Sequence, residues 1–141
     1  MPPTLFTKII QGDIPGRFVW RDPDTVAFLT INPITPGHTL VVPVAEVDHW
    51  LDLPVEVAQR CMAVAQVIGQ AQMTAFSPRR VGMIIAGLEV PHTHLHVIPI
   101  ESESDLSFAK ADPSPDPAAL DQAAESLRSA LRGLGRTEVP E

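Results

Sequence analysis

One cysteine in 141 residues leaves this chain without an internal disulfide. Cys61 lies in an apolar stretch of helical spacing, so it reads as a small buried hydrophobe in a reducing, cytoplasmic setting. Long apolar runs are lacking as well, none approaching the roughly 18 residues of a membrane span. The N-terminal Met1-Pro2-Pro3-Thr4-Leu5-Phe6 has neither the basic region nor the apolar core of an export signal. Neither export nor membrane anchoring is expected. Basic clusters are sparse: none is denser than Arg79-Arg80, in a chain of net charge −7. That argues against polymeric nucleic acid as a partner. A small anion is still admissible, because local donors act while charges beyond about 8–10 Å are screened.

What is there is concentrated. Three of the five histidines fall within five residues, His92, His94 and His96, inside Val90-Pro91-His92-Thr93-His94-Leu95-His96-Val97-Ile98-Pro99. The alternation with apolar residues suits a half-buried strand, which would set successive rings on one face about 6.5–7 Å apart. Imidazole, with an unperturbed pKa of about 6.5, serves as nucleophile, base or acid near neutrality. Packing is a poor explanation for three of them, since buried rings need many partners or must stay neutral.

The composition, 45% hydrophobic and 19% charged, is that of one globular domain whose apolar leaning points to an oligomer. Residues 5–10 carry apolar side chains at helical spacing and stop at Gly12-Asp13-Ile14-Pro15-Gly16. Residues 17–21 and 25–31, separated by Asp22-Pro23-Asp24, read as an antiparallel hairpin. A third strand opens at His38 and runs to Pro43. Asp52 and Pro54 start a long helix reaching about Phe76, with Val57, Cys61, Val64, Ile68, Ala71 and Ala75 as its core stripe. Met62, Ala65, Val67 and Met73 fall off that stripe, so a second face should be buried, most simply by a partner subunit. Residues 79–86 read as a fourth strand and the histidine run as the fifth. The domain is expected over 1–110. Residues 111–141 would form a proline-rich linker over 111–117 and a helix to about Leu134, packing on or extending the same domain. Residues 133–141 should fray.

The histidine run resembles the signature of the histidine triad, or HIT, family. Leu5-Phe6-Thr7-Lys8-Ile9-Ile10, Ile14-Pro15, Ala27-Phe28-Leu29-Thr30-Ile31-Asn32-Pro33 and Pro36-Gly37-His38-Thr39-Leu40-Val41-Val42-Pro43 follow the order and spacing of that family, over roughly residues 4–100. The stretch 86–92 is most similar to an actinobacterial-type branch. The resemblance implies an α+β fold: a five-stranded antiparallel sheet with a long helix and a short N-terminal helix, joined across a two-fold axis into a ten-strand homodimer.

It further implies that His94 attacks the α-phosphorus of a nucleoside phosphoramidate, nucleotidyl anhydride or ester, forming a nucleotidyl-histidine intermediate that water hydrolyses. His92 would hold His94 through its backbone carbonyl, His96 would bond the phosphate oxygens, His38 would support the triad from the neighbouring strand, and protonated rings with backbone amides would stabilise the charge on the phosphate. The partner is a purine nucleotide or nucleotide conjugate. Phe6, Ile9, Phe28 and Ile31 would line the base pocket, and Thr30 stands where many members place Asp or Asn on the ribose. Ala86 and Leu88 replace the Asn and Gln that many members set on the phosphate, and strand parity would turn Glu89 away from the histidines. Thr4 and Thr7 stand where some members have a Cys-x-x-Cys, so no zinc is expected there, and no cofactor at the site. His49 reads as a loop residue. Two rivals remain: a nucleotide-binding dimer with little or no turnover, acting as sensor or adaptor, and a metal-dependent hydrolase built on three histidines.

Overall fold

A computed structural model describes residues 2–140. Helix α1 (Leu5–Gln11) precedes strands β1 (Phe18–Arg21), β2 (Thr25–Leu29) and β3 (Thr39–Pro43); helix α2 (Val55–Phe76) leads to β4 (Arg80–Ile84) and β5 (Leu95–Ile100), and α3 (Pro117–Gly133) closes the chain. The five strands form one antiparallel sheet in the order β1-β2-β3-β5-β4. The fold class expected from the sequence is the one observed.

Local chemistry sets the boundaries. Thr4 caps α1 through a side-chain bond from the Thr7 amide, and Gly12 ends it in the left-handed region. Between β1 and β2, Asp22 Oδ1 takes the amides of Asp24 and Thr25 while Oδ2 takes Trp20 Nε1 and the Arg60 guanidinium. Burial pushes the Asp22 carboxyl up, but these bonds outweigh it and hold the group below its ordinary range. Gly37 adopts φ of +90°, and a Cβ there would strike the Phe76 ring. The turn that delivers His38 to β3 therefore requires glycine.

The sheet is covered on both faces. Val19, Ala27, Leu29, Val41, Leu95 and Val97 pack with Cys61, Val64 and Ile68 of α2 and with Ala124, Leu127 and Leu131 of α3. Each fully buried aliphatic side chain there contributes about 1.5–3 kcal/mol. The opposite face, Val26, Phe28, Leu40 and Val42, receives Phe6 and Ile9 of α1, with Ile10, Ile14, Phe18 and Val90 at its margin. A complete layer covers one side and seven residues of helix the other.

Three expectations are corrected. Ala65 and Val67 are buried within this chain, in the core shared with α3, so only Met62 and Met73 of the off-stripe residues stay outside. The C-terminal segment does not fray over its described residues. The Arg21 amide donates to the Glu138 carbonyl at 2.9 Å, Arg136 lies 5.5 Å from the Trp20 ring and Val139 packs against the core. An otherwise unpaired edge amide of β1 and an aromatic face provide the anchor. Glu141 lies outside the described residues. Residues 111–113 are no free linker either, for the Asp112 amide and carbonyl bond Pro33 and Asn32.

Candidate active site

The histidine run is not one strand. β5 begins at Leu95, and His92 and His94 precede it. Pro91 cannot donate to a ladder, the His92 amide turns back onto the Val90 carbonyl at 2.8 Å, and the Thr93 amide and hydroxyl are both taken by the Val47 carbonyl. The three rings therefore do not form an even row. His92 points into the protein, its Nε2 donating to the Pro43 carbonyl at 2.7 Å and its Nδ1 accepting the Thr4 hydroxyl at 2.7 Å. His94 and His96 lie together with ring centres 4.9 Å apart, and His38 reaches His96 from β3 with its ring centre 5.1 Å away.

The hydrogen bonds fix every tautomer. A carbonyl can only accept, so the 2.7 Å contact between His94 Nδ1 and the His92 carbonyl places the proton on Nδ1 and leaves a lone pair on Nε2. An amide can only donate, so the Ile34 amide at 3.0 Å makes His38 Nδ1 an acceptor and puts its proton on Nε2. That proton goes to His96 Nδ1, 2.9 Å away, and so the proton of neutral His96 sits on Nε2. One ring thus offers a lone pair and its neighbour an N–H.

Electrostatics hold this state. Burial, aided by the His94 charge, pushes His96 down to about 4, and burial with the charges of His96 and His94 pushes His38 down to about 3. Burial also lowers His94; the bond to the His92 carbonyl and the charge of Glu89 oppose the shift, while the His92 ring adds to it. All three rings are therefore neutral at pH 7 in the free protein.

A cleft of about 1170 Å³ opens beside them. His38, His94 and His96 line it, together with Phe6, Ile9, Phe28, Thr30, Ile31 and Leu88, so the predicted pocket residues converge, and His92 alone stands behind the wall. Phe6 meets Phe28 edge-on at 5.6 Å and His94 at 4.8 Å. Thr30 Oγ1 accepts the Asn32 amide, and Leu88 is 97% exposed at the rim. His49 is exposed and takes no part.

Several lining residues escaped the sequence. Phe108 stacks edge-on against His96 at 4.9 Å; its only signal was a large aromatic in a polar stretch. Arg17 and Asp121 pair at 2.7 Å across 104 positions, which no local pattern could announce. Gln72, wholly buried on α2, donates to the Gly37 and Val97 carbonyls and ties together the backbone next to His38 and His96. Glu89 is corrected: residues 85–94 lie outside any strand, so parity does not govern them, and Glu89 lines the cleft. Among the described residues no three His, Cys, Asp or Glu side chains converge as a metal ion would require, and no helix is long and apolar enough to cross a membrane.

Known proteins are similar to this chain in sequence and in fold. The chain is 34% identical over 106 residues to "Protein hit" of Bacillus subtilis, spanning 72% of this chain and 73% of that one. It is 31% identical over 100 residues to the adenosine 5'-monophosphoramidase HNT1 of Saccharomyces cerevisiae, spanning 70% of this chain and 63% of the yeast protein. A crystal structure of a zinc-bound histidine triad family protein from Mycobacterium smegmatis superposes with a TM-score of 0.80 at 31% identity, covering 93% of this chain and 94% of that one. The sequence model of the HIT domain matches residues 11–103, from the last residue of α1 to the polar segment beyond β5, and with it the chain belongs to the HIT family.

Proposed function

We propose that this chain cleaves a nucleoside phosphoramidate, nucleotidyl anhydride or ester at the α-phosphorus, with His94 as nucleophile. The observation that carries the reading is the pairing of an unprotonated His94 Nε2, its other nitrogen held by the His92 carbonyl, with the N–H of His96 alongside. Phe6, Ile9, Phe28 and Ile31 take a purine, Thr30 one ribose hydroxyl, and Leu88 bounds the phosphate end. The activity in the yeast relative's name is of this chemistry.

In this reading the N–H of neutral His96 bonds a phosphate oxygen. His94 Nε2 bonds to phosphorus as the bond to the leaving group breaks, and the leaving atom keeps the electron pair and takes a proton from solvent. Water then attacks phosphorus, the phosphorus–Nε2 bond breaks, and the water proton returns to solvent. Substrate and water yield a nucleoside monophosphate and the protonated leaving group, with both rings restored. His38 positions His96 throughout. The exposed Met62 and Met73 fit a homodimer.

The test is intact-mass analysis after rapid quench with an adenosine phosphoramidate. An adduct of one nucleoside monophosphate on wild type and none on His94→Ala is the expected result; cleavage undiminished in His94→Ala would sink the proposal. A second reading, nucleotide binding without turnover, draws on Ala86 and Leu88, which bring no polar side chain to the phosphate end. It would be favoured by binding of adenosine monophosphate with neither adduct nor product.

A further inference from the structure

The formal charges lining the cleft stand in two places. Arg17 is the only Lys or Arg among the lining residues, and it is engaged with Asp121 at 2.7 Å. Its backbone carbonyl takes the Leu29 amide, which places it beside β2 and next to Thr30, at the end read as the ribose subsite. Glu89 is the second place. It projects from the loop between β4 and β5 with Ala86, Gly87, Leu88 and Val90, is exposed, and makes no hydrogen bond or ion pair with any described residue. Its charge nevertheless reaches His94.

If the base lies on Phe6 and Phe28 and the phosphorus at His94 and His96, the leaving group is left the stretch of cleft bounded by Leu88, Glu89 and Phe108. Phe108 offers half of an aromatic face there, 47% exposed and edge-on to His96. The donors for the α-phosphate are neutral, and no cation offsets a second negative charge. A sulfate, a polyphosphate or a carboxylated amine meets Glu89 unshielded, whereas a hydrocarbon stem on Phe108 that ends in an ammonium group is attracted.

We infer that Glu89 is a specificity-determining residue that selects the charge of the leaving group, favouring phosphoramidates of cationic amines over substrates with anionic leaving groups. This rests on the reading of the site as a nucleotidyl hydrolase. An exposed carboxylate several ångströms from the charge it reads is worth roughly threefold to tenfold per unit of charge, and less as salt is raised.

The experiment uses three adenosine phosphoramidates that differ only in the tail of the amine: diaminopropane, propylamine and β-alanine. Their kcat/KM values are compared for wild type, Glu89→Gln and Glu89→Lys at low and physiological salt. Because each ratio is taken within one enzyme, a general loss of activity cancels. Wild type should prefer the diaminopropane conjugate to the β-alanine conjugate by roughly tenfold to a hundredfold at low salt. The preference should shrink with salt, collapse in Glu89→Gln and reverse in Glu89→Lys. Equal ratios in all three proteins would overturn the inference. Should none of the conjugates be cleaved, the phosphoramidase reading fails by itself, and the same ratios are read in binding of the intact conjugates by calorimetry, where charge-blind affinities would overturn the inference separately.

Discussion

The two faces of the sheet are built on opposite rules. The face under α2 and α3 is mostly hydrocarbon: seventeen buried residues, from Val19 to Leu131, form one cluster, with the bonds of Trp20 Nε1 and Gln72 as its polar exceptions. The face under α1 has six buried apolar residues, and beside them His92, His94, His96 and His38, whose nitrogens are assigned to a carbonyl, a hydroxyl, an amide or each other, all but His94 Nε2 and His96 Nε2. Apolar contact is non-directional, so the first face tolerates repacking. A buried polar network is specified only when complete, so the second does not.

The comparison is broken most sharply at His94. His94→Ala should reduce turnover at least about 1000-fold while cooperative thermal unfolding persists, measured by product release and circular dichroism. On the other face, Leu127→Ala should remove about 2–5 kcal/mol of stability through the cavity it leaves, read by urea unfolding. Its kcat/KM should stay within about threefold below the unfolding range; a loss as deep as that of His94→Ala would mean that the faces are not separable.

Acid distinguishes the faces next. His38 and His96 have folded pKa values of about 3 and about 4, below the 6.5 of the exposed ring. The unfolded chain therefore binds more protons between those values, and stability falls as pH drops from about 6.5 towards 4, being fully present above 6.5. The double variant His38→Leu/His96→Leu should flatten that slope, as followed by melting temperature across pH; an unchanged slope would assign it to other groups. The lowered His94 pKa has a parallel sign: the unprotonated nucleophile persists to lower pH, so the acid limb of kcat/KM should lie below 6.5. The smallest effect is expected from removing residues 136–141. Loss of the Arg21–Glu138 bond and of the Val139 contact should lower stability by about 1 kcal/mol without changing the pH slope.

The hydrocarbon face was legible from the sequence because periodicity is a local signal: Val57, Cys61, Val64, Ile68 and Ala71 recur at helical spacing and share one core. The membership of His38 with the triad was readable only through the family pattern, since 58 positions separate it from His96. What failed did so for a physical reason. Alternation placed Glu89 away from the histidines because it presumes strand backbone, and residues 85–94 do not form a strand. Phe108, Asp121 and Glu138 come to the sheet through tertiary packing of a segment whose composition resembles a tail. Gln72 was invisible inside an apolar helix although it holds two carbonyls of the sheet.

The anchored C-terminal segment has one further consequence. It occupies backbone on the outer side of β1, while β4 pairs only with β5. A sheet with two open margins can be lengthened from either and has no stopping point. A strand adding at β1 must first displace the Glu138 carbonyl from the Arg21 amide, whereas the outer side of β4 pairs with no other strand, so the two margins of this sheet are not equivalent to a newcomer.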